Sequence, residues 1–121
     1  MKDKLRVHDN LGHIRDAIER VFSYIEDLDE AAFARNELVQ DAVIRNLEIV
    51  GEASSNIERN DPGFVARHPE MKLASARAMR NAVAHGYHKV DLEVIWRTID
   101  EDLAVLHAQV VEALRQSGEQ Q

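Results

Sequence analysis

The chain has 121 residues, of which 45% are apolar, enough for one domain (1–121) around one core and too many for wholesale disorder. It has no cysteine, which excludes disulfides and thiolate metal sites and fits a reducing, cytoplasmic setting. Its formal net charge of −7 argues by itself against an extended nucleic-acid-binding surface, which needs Lys and Arg.

The polar start Met1-Lys2-Asp3-Lys4 leads into no apolar run of signal-peptide type, and no apolar stretch approaches membrane-spanning length. No membrane partner is therefore expected. With only 5 glycines and 2 prolines, long helices are favoured over a turn-rich β fold.

The first helix is expected to start near Asp9 or Asn10, either of which can cap it, with residues 1–8 frayed. Leu11, Ile14, Ile18, Val21, Ile25 and Leu28 then recur at steps of three and four, an apolar stripe opposite Arg15, Asp16, Glu19, Arg20 and Glu26. Asp27-Leu28-Asp29-Glu30 ends it, and Ala31 to Arg35 reads as a short helical turn carrying Phe33.

The second helix is predicted over Asn36 to Arg59, burying Leu38, Val39, Ala42, Val43, Leu47, Val50, Ser54 and Ile57. Gly51 costs about 1 kcal/mol of helix propensity relative to alanine and is expected to permit close approach of another helix. Glu48 and Glu52, one turn apart, have the spacing for acid–base chemistry or a metal, but a solvated face is the preferred reading.

Asn60-Asp61-Pro62-Gly63 reads as a turn, and Phe64 to Met71 as irregular chain or a single turn. A third helix begins near Lys72 or Leu73, places Leu73, Ala76, Met79, Arg80 and Val83 on related faces, and should fray near His85-Gly86. Asp91 caps the fourth, which carries Leu92, Ile95, Trp96, Ile99, Leu103, Leu106, Val110 and Leu114 on one stripe. The tail over 117–121 is polar and expected to fray. The expected fold is all-α, an antiparallel bundle of four main helices plus a short helical element.

The residues with chemistry cluster late. Between Arg67 and Lys89 stand five cations (Arg67, Lys72, Arg77, Arg80 and Lys89) and one anion, Glu70, a local charge of +4 that leaves −11 elsewhere. Such a patch fits a phosphate-bearing partner engaged at one place, and equally a helix whose charges happen to cluster.

Within it, Arg80-Asn81-Ala82-Val83-Ala84-His85-Gly86-Tyr87 brings a guanidinium, an amide, an imidazole and a phenol together. Arg80 and His85 point apart on a continuous helix and converge if it unwinds at Ala84 or Gly86, or if a second copy supplies the other group. Arg80 then suits a phosphate and His85 suits proton transfer at a ribose hydroxyl or leaving oxygen, with Asn81 as polar support. Lys72, Arg77, His88 and Lys89 are candidate phosphate contacts. Spacing alone leaves this catalytic reading and simple capping of helix-end carbonyls both open.

By default Tyr87 packs over the bundle end. His85 and His88 lack a further pair at ligand spacing, so no metal is expected, and no cofactor either. His8, His13 and His107 read as ordinary helix or surface residues, and Trp96 as core or dimer packing.

The Arg80-Asn81…His85-x-Tyr87 pattern resembles the RNxxxHxY form of the R-x4-6-H motif of HEPN domains, in particular that of HepT-like toxins of toxin–antitoxin pairs. Ala42 to Ala53 (AVIRNLEIVGEA) is similar to that family's central helix, often written RxLEIIGEA, and Val90 to Trp96 to the segment after its histidine motif. The three blocks occur in order, and the likeness runs from about Leu11 to Leu114.

The resemblance implies a HEPN bundle that forms a homodimer and acts as a metal-independent endoribonuclease on RNA. Arg80 and His85 would be its catalytic residues and Asn81 the helper. It further implies a partner, an MNT-type nucleotidyltransferase antitoxin, that transfers AMP to Tyr87. The alternative is a non-catalytic helical partner that binds nucleotide or docks a nucleotidyltransferase. One departure is visible. After His68-Pro69-Glu70, where relatives often carry Pro-Trp, this chain has Lys72-Leu73.

Overall fold

The computed structural model describes residues 2–73, 76 and 92–119. Among them every regular element is helical, and no helix is long and apolar enough to cross a membrane. In chain order these are α1 (Lys2–Ile25), α2 (Glu30–Ala34), α3 (Glu37–Asn60), α4 (Pro62–Arg67), a 3-10 turn (Pro69–Met71), α5 (Leu92–Thr98), a π-helical segment (Ile99–Leu103) and α6 (Ala104–Glu119). The all-α expectation holds. Of the predicted third helix only its onset at Leu73 and Ala76 is described.

Helix α1 starts earlier than expected, at Lys2 rather than at Asp9 or Asn10. Asn10 caps nothing. Its amide Nδ2 donates back to the Arg6 carbonyl at 2.8 Å, a bond available only inside a formed helix. Val7, 5% exposed, extends the apolar stripe by one turn, so tertiary burial overrides the capping signal.

The stripe itself is as read. Ile14, Ile18 and Val21 are fully buried, as is Ala17, while Ile25 is half-buried and Leu28 lies in the turn that follows. Each isoleucine or valine side chain fully removed from water contributes about 1.5–3 kcal/mol.

Polar bonds along α1 fix the direction of its neighbours. Asn10 and Arg20 reach Asn56 and Asn46 of α3 at 3.3 and 2.8 Å, and His8 and Glu19 reach Ser117 and His107 of α6 at 3.4 and 2.9 Å. Low numbers pair with high in both sets, so α3 and α6 each run antiparallel to α1. Asn46, only 5% exposed, is satisfied on both sides. Its Oδ1 accepts from Arg20 Nε and its Nδ2 donates to the Ala42 carbonyl at 2.8 Å.

On α3 the buried face comprises Val43, Ile44, Asn46, Leu47, Val50, Gly51, Ala53, Ser54 and Ile57. Leu38 is a correction, because it is 81% exposed. It falls on the outward face with Asp41, Arg45 and Glu52, while Val39, one residue on, turns toward the core. The Glu48 carboxylate lies 3.5 Å from Arg45 Nη1 on this outer side, and Glu52 is exposed, in line with the solvated reading.

The Asn60-Asp61-Pro62-Gly63 signal proves to be a helix start. Asp61 Oδ1 accepts from Phe64 N at 3.0 Å, and Pro62 occupies the first turn, where its missing N–H costs nothing. Thus Phe64–Met71, expected as irregular or a single turn, holds most of α4 and the 3-10 turn. Phe33, fully buried on α2, stacks on Trp96 of α5 at 5.4 Å between ring centroids, which confirms the core role of Trp96.

The last helix is not continuous α-helix. A π segment lies between α5 and α6. At its threshold the Thr98 hydroxyl donates to the Val94 carbonyl at 2.9 Å, a side chain entering the main-chain ladder where the spacing widens.

Phe33→Ala should lower unfolding free energy by about 3–5 kcal/mol, whereas Leu38→Ser should change it by less than about 0.5 kcal/mol, both read by urea denaturation. Asp61→Ala should cost about 1 kcal/mol through loss of the α4 cap.

Candidate functional site

The predicted site residues divide between described and undescribed chain. Arg77, Arg80, Asn81, His85, Tyr87, His88 and Lys89 lie outside the described residues, as do Met79, Val83, the expected helix end at His85-Gly86 and the Asp91 cap. Lys72 is described, and so are both flanks of the motif.

On the N-terminal side, Lys72 adopts a left-handed backbone (φ 51°, ψ 48°) at the end of the 3-10 turn. This is an uncommon conformation for a residue with a Cβ and marks an abrupt change of direction. Leu73 then enters the core at 2% exposed, and the Ala76 amide donates to the Lys72 carbonyl at 3.3 Å, a bond of helical spacing. At this departure from the family pattern, position 73 is thus a core position filled by an aliphatic side chain, while the Lys72 side chain is exposed. On the C-terminal side, Leu92 and Trp96 pack against the core and Ile95 is buried. The described chain on either side of the motif, Leu73 before it and Leu92 to Trp96 after it, is therefore held by the core.

A cavity of about 390 Å3 lies beside this onset. Leu47 and Val50 of α3, Ala76, and Leu103 and Leu106 form its apolar wall. Lys72, Glu101 and Asp102 line it with charge, and Gln109 Nε2 donates across to the Glu70 carbonyl at 3.0 Å. Three of these, Glu101, Asp102 and Leu103, belong to the π segment.

The basic stretch is partly neutralised where it is described. Arg67 Nη2 lies 3.7 Å from Asp61 Oδ2, an anion just outside the counted window, and His68 Nδ1 lies 3.1 Å from Glu70 Oε1. The Glu70 carboxyl is held below its ordinary value, chiefly by a backbone hydrogen bond at its own position and further by the His68 imidazole. Among the described residues, no group of three or more His, Asp or Glu side chains is arranged to hold a metal.

Sequence reasoning missed the π segment and the two histidine contacts that tie α1 to α6. The buried positions 95, 99, 103, 106, 110 and 113 average the step of an ordinary α-helix, so periodicity carries no sign of the extra residue in the turn. The three consecutive acids Asp100-Glu101-Asp102 within an apolar helix were the one available hint.

Comparison with known proteins places the chain. The family model described as "Ribonuclease HepT-like" matches residues 14–113, a span that holds all three sequence blocks. A Thermococcus cleftensis protein named "Probable ribonuclease HepT" is 40% identical over 98 residues, covering 81% of this chain and 86% of that one. A Methanocaldococcus jannaschii protein with an RNase designation is 33% identical over 107 residues, covering 88% and 92%. A longer protein of the same organism, whose designation joins a gamma-glutamylcyclotransferase to an RNase, is 29% identical over 106 residues, covering 88% of this chain and 46% of that one. No solved structure matches. With its family model spanning residues 14–113, the chain belongs to the HepT-like ribonuclease family, and its enzyme class is ribonuclease.

Proposed function

We propose that this chain is the toxin subunit of a toxin–antitoxin pair, an endoribonuclease that cuts RNA without a metal. The observation that carries the reading is the family match over residues 14–113, because that span includes Arg80-Asn81 and His85-Gly86-Tyr87 in the order the chemistry needs.

In this reading two copies pair so that their motifs face one cleft. A His85 imidazole takes the proton of a ribose 2′-hydroxyl, whose oxygen attacks the adjacent phosphorus. The bond from phosphorus to the 5′-oxygen breaks, and that oxygen receives a proton from the protonated His85 of the other copy. The products are a 2′,3′-cyclic phosphate and a 5′-hydroxyl. Arg80 holds the phosphate and meets the charge that accumulates on it, and Asn81 supports the same oxygens. Lys72, Arg77, His88 and Lys89 contact flanking phosphates. Anchoring at Leu73 and at Leu92–Trp96 supports this reading, since catalytic groups gain from rigid supports.

Regulation falls to Tyr87. An MNT-type nucleotidyltransferase antitoxin directs the phenolic oxygen onto the α-phosphorus of ATP. Pyrophosphate leaves and the phenolic proton passes to solvent. The resulting adenylate puts bulk and negative charge two residues from His85, where it repels an RNA phosphate.

Purified protein should degrade RNA in the presence of EDTA. His85→Ala should slow cleavage by about a hundredfold or more, and Arg80→Ala by a comparable factor, with the far-ultraviolet circular dichroism unchanged. Wild-type rates in both variants would refute the assignment. Incubation with the antitoxin and ATP should add one adenylate to the wild type and none to Tyr87→Phe, measured by intact mass. Full modification of Tyr87→Phe would remove Tyr87 from the scheme.

A further inference from the structure

A second cavity, of about 200 Å3, opens where α1, α4 and α6 meet. Its floor is apolar, formed by Val7, Leu11 and Ala113, all at most 8% exposed. One wall is aromatic. The Phe64 and His68 rings stack with centroids 4.3 Å apart and planes tilted by 31°.

The mouth is polar but carries little net charge. Arg67 is the only residue of fixed positive charge among the described lining residues, and its guanidinium already faces Asp61 at 3.7 Å. Gln116 Nε2 donates to Glu112 Oε1 at 3.3 Å, which leaves its second N–H and its Oε1 to face a ligand, and His8 and Ser117 meet each other at 3.4 Å.

These features select the ligand. A bare phosphate calls for convergent, unpaired cations, and the single arginine here is partnered. A drug-sized molecule needs about 300 Å3 or more. A single flat, neutral heteroaromatic ring fits both limits. It can lie on the apolar floor beside the Phe64–His68 stack while its edge meets Gln116 and Ser117. Unstacked RNA bases are recognised by contact with their flat faces and by hydrogen bonds to their edges.

The geometry points to a nucleobase subsite between α1, α4 and α6, which takes one unstacked base of the RNA substrate. The substrate class rests on the ribonuclease reading, and the pocket rests on its own residues. The site shares no residue with the Arg80–Tyr87 motif, so it contributes affinity and base preference rather than chemistry.

The test is amide NMR titration of the wild type and of His85→Ala with adenosine, guanosine, cytidine and uridine, with inorganic phosphate as the control probe. At least one nucleoside should saturably shift the amides of His8, His68, Gln116 and Ser117 in both proteins, and phosphate should not. Gln116→Trp, which fills the mouth from an exposed helical position, should weaken that binding by about tenfold or more. Ser117→Trp serves as a second obstruction, with thermal unfolding checked for both. In RNA cleavage, Gln116→Trp should raise KM and leave kcat in place.

Nucleoside shifts confined to other residues, binding indifferent to both tryptophans, or the same shifts produced by phosphate would overturn the subsite. Nucleoside binding at these residues in a protein that cuts no RNA would retain the pocket and remove the ribonuclease reading. Cleavage with unchanged KM in both variants, and no nucleoside shifts, would do the reverse.

Discussion

The apolar seam of α1 is the constraint on which the described structure depends. Leu11, Ile14, Ala17, Ile18 and Val21 are buried where α3 and α6 pack on the same helix. A stripe of this kind has little reason to prefer one direction of its neighbours, since apolar contact is not directional. The polar pairs at its margins supply the register: Asn10 with Asn56, Arg20 with Asn46, His8 with Ser117 and Glu19 with His107. Apolar burial thus provides the free energy and hydrogen bonds select the arrangement, a division expected when each polar bond nets only about 1 kcal/mol.

This scaffold holds the described chain on either side of residues 77–91. The chain leaves α3, turns through α4 and the 3-10 segment, and reverses at the left-handed Lys72 before Leu73 re-enters the core. Beyond the motif, Trp96 is held against Phe33, so α2, a helix of only five residues, braces the far side. Phe33 therefore links the loop between α1 and α3 to the element that follows the candidate catalytic residues.

Charge is distributed by the same logic. The chain is acidic overall, and the stretch from Arg67 to Lys89 runs against that trend. Its described portion is less basic in space than in sequence, because Asp61 meets Arg67 and the acids of the π segment share a cavity with Lys72. Arg67 thereby serves the α4 turn, and the other cations of the stretch are Lys72, Arg77, Arg80 and Lys89.

The sequence by itself determined the all-α class, the apolar stripes of α1 and of the last helical stretch, the small Phe33 helix, a helix onset near Lys72 or Leu73 and, through three blocks of residues, the family. Periodic burial and the residue types of one motif are local properties, and local properties are legible along a chain. It placed Leu38 in the core because near the end of a helix one residue of phase separates inside from outside, and only the packing of α1 against α3 sets that phase. It read Asp61-Pro62 as a turn because an Asp-Pro pair suits a turn and a helix start alike, and burial of Phe64 favours the helix. The tertiary structure alone decided the π segment, whose extra residue per turn disappears in the averaged spacing. It also brought His8 and Gln116 to the Phe64–His68 pair, three distant stretches of chain that share a cavity with no sequence proximity to signal it.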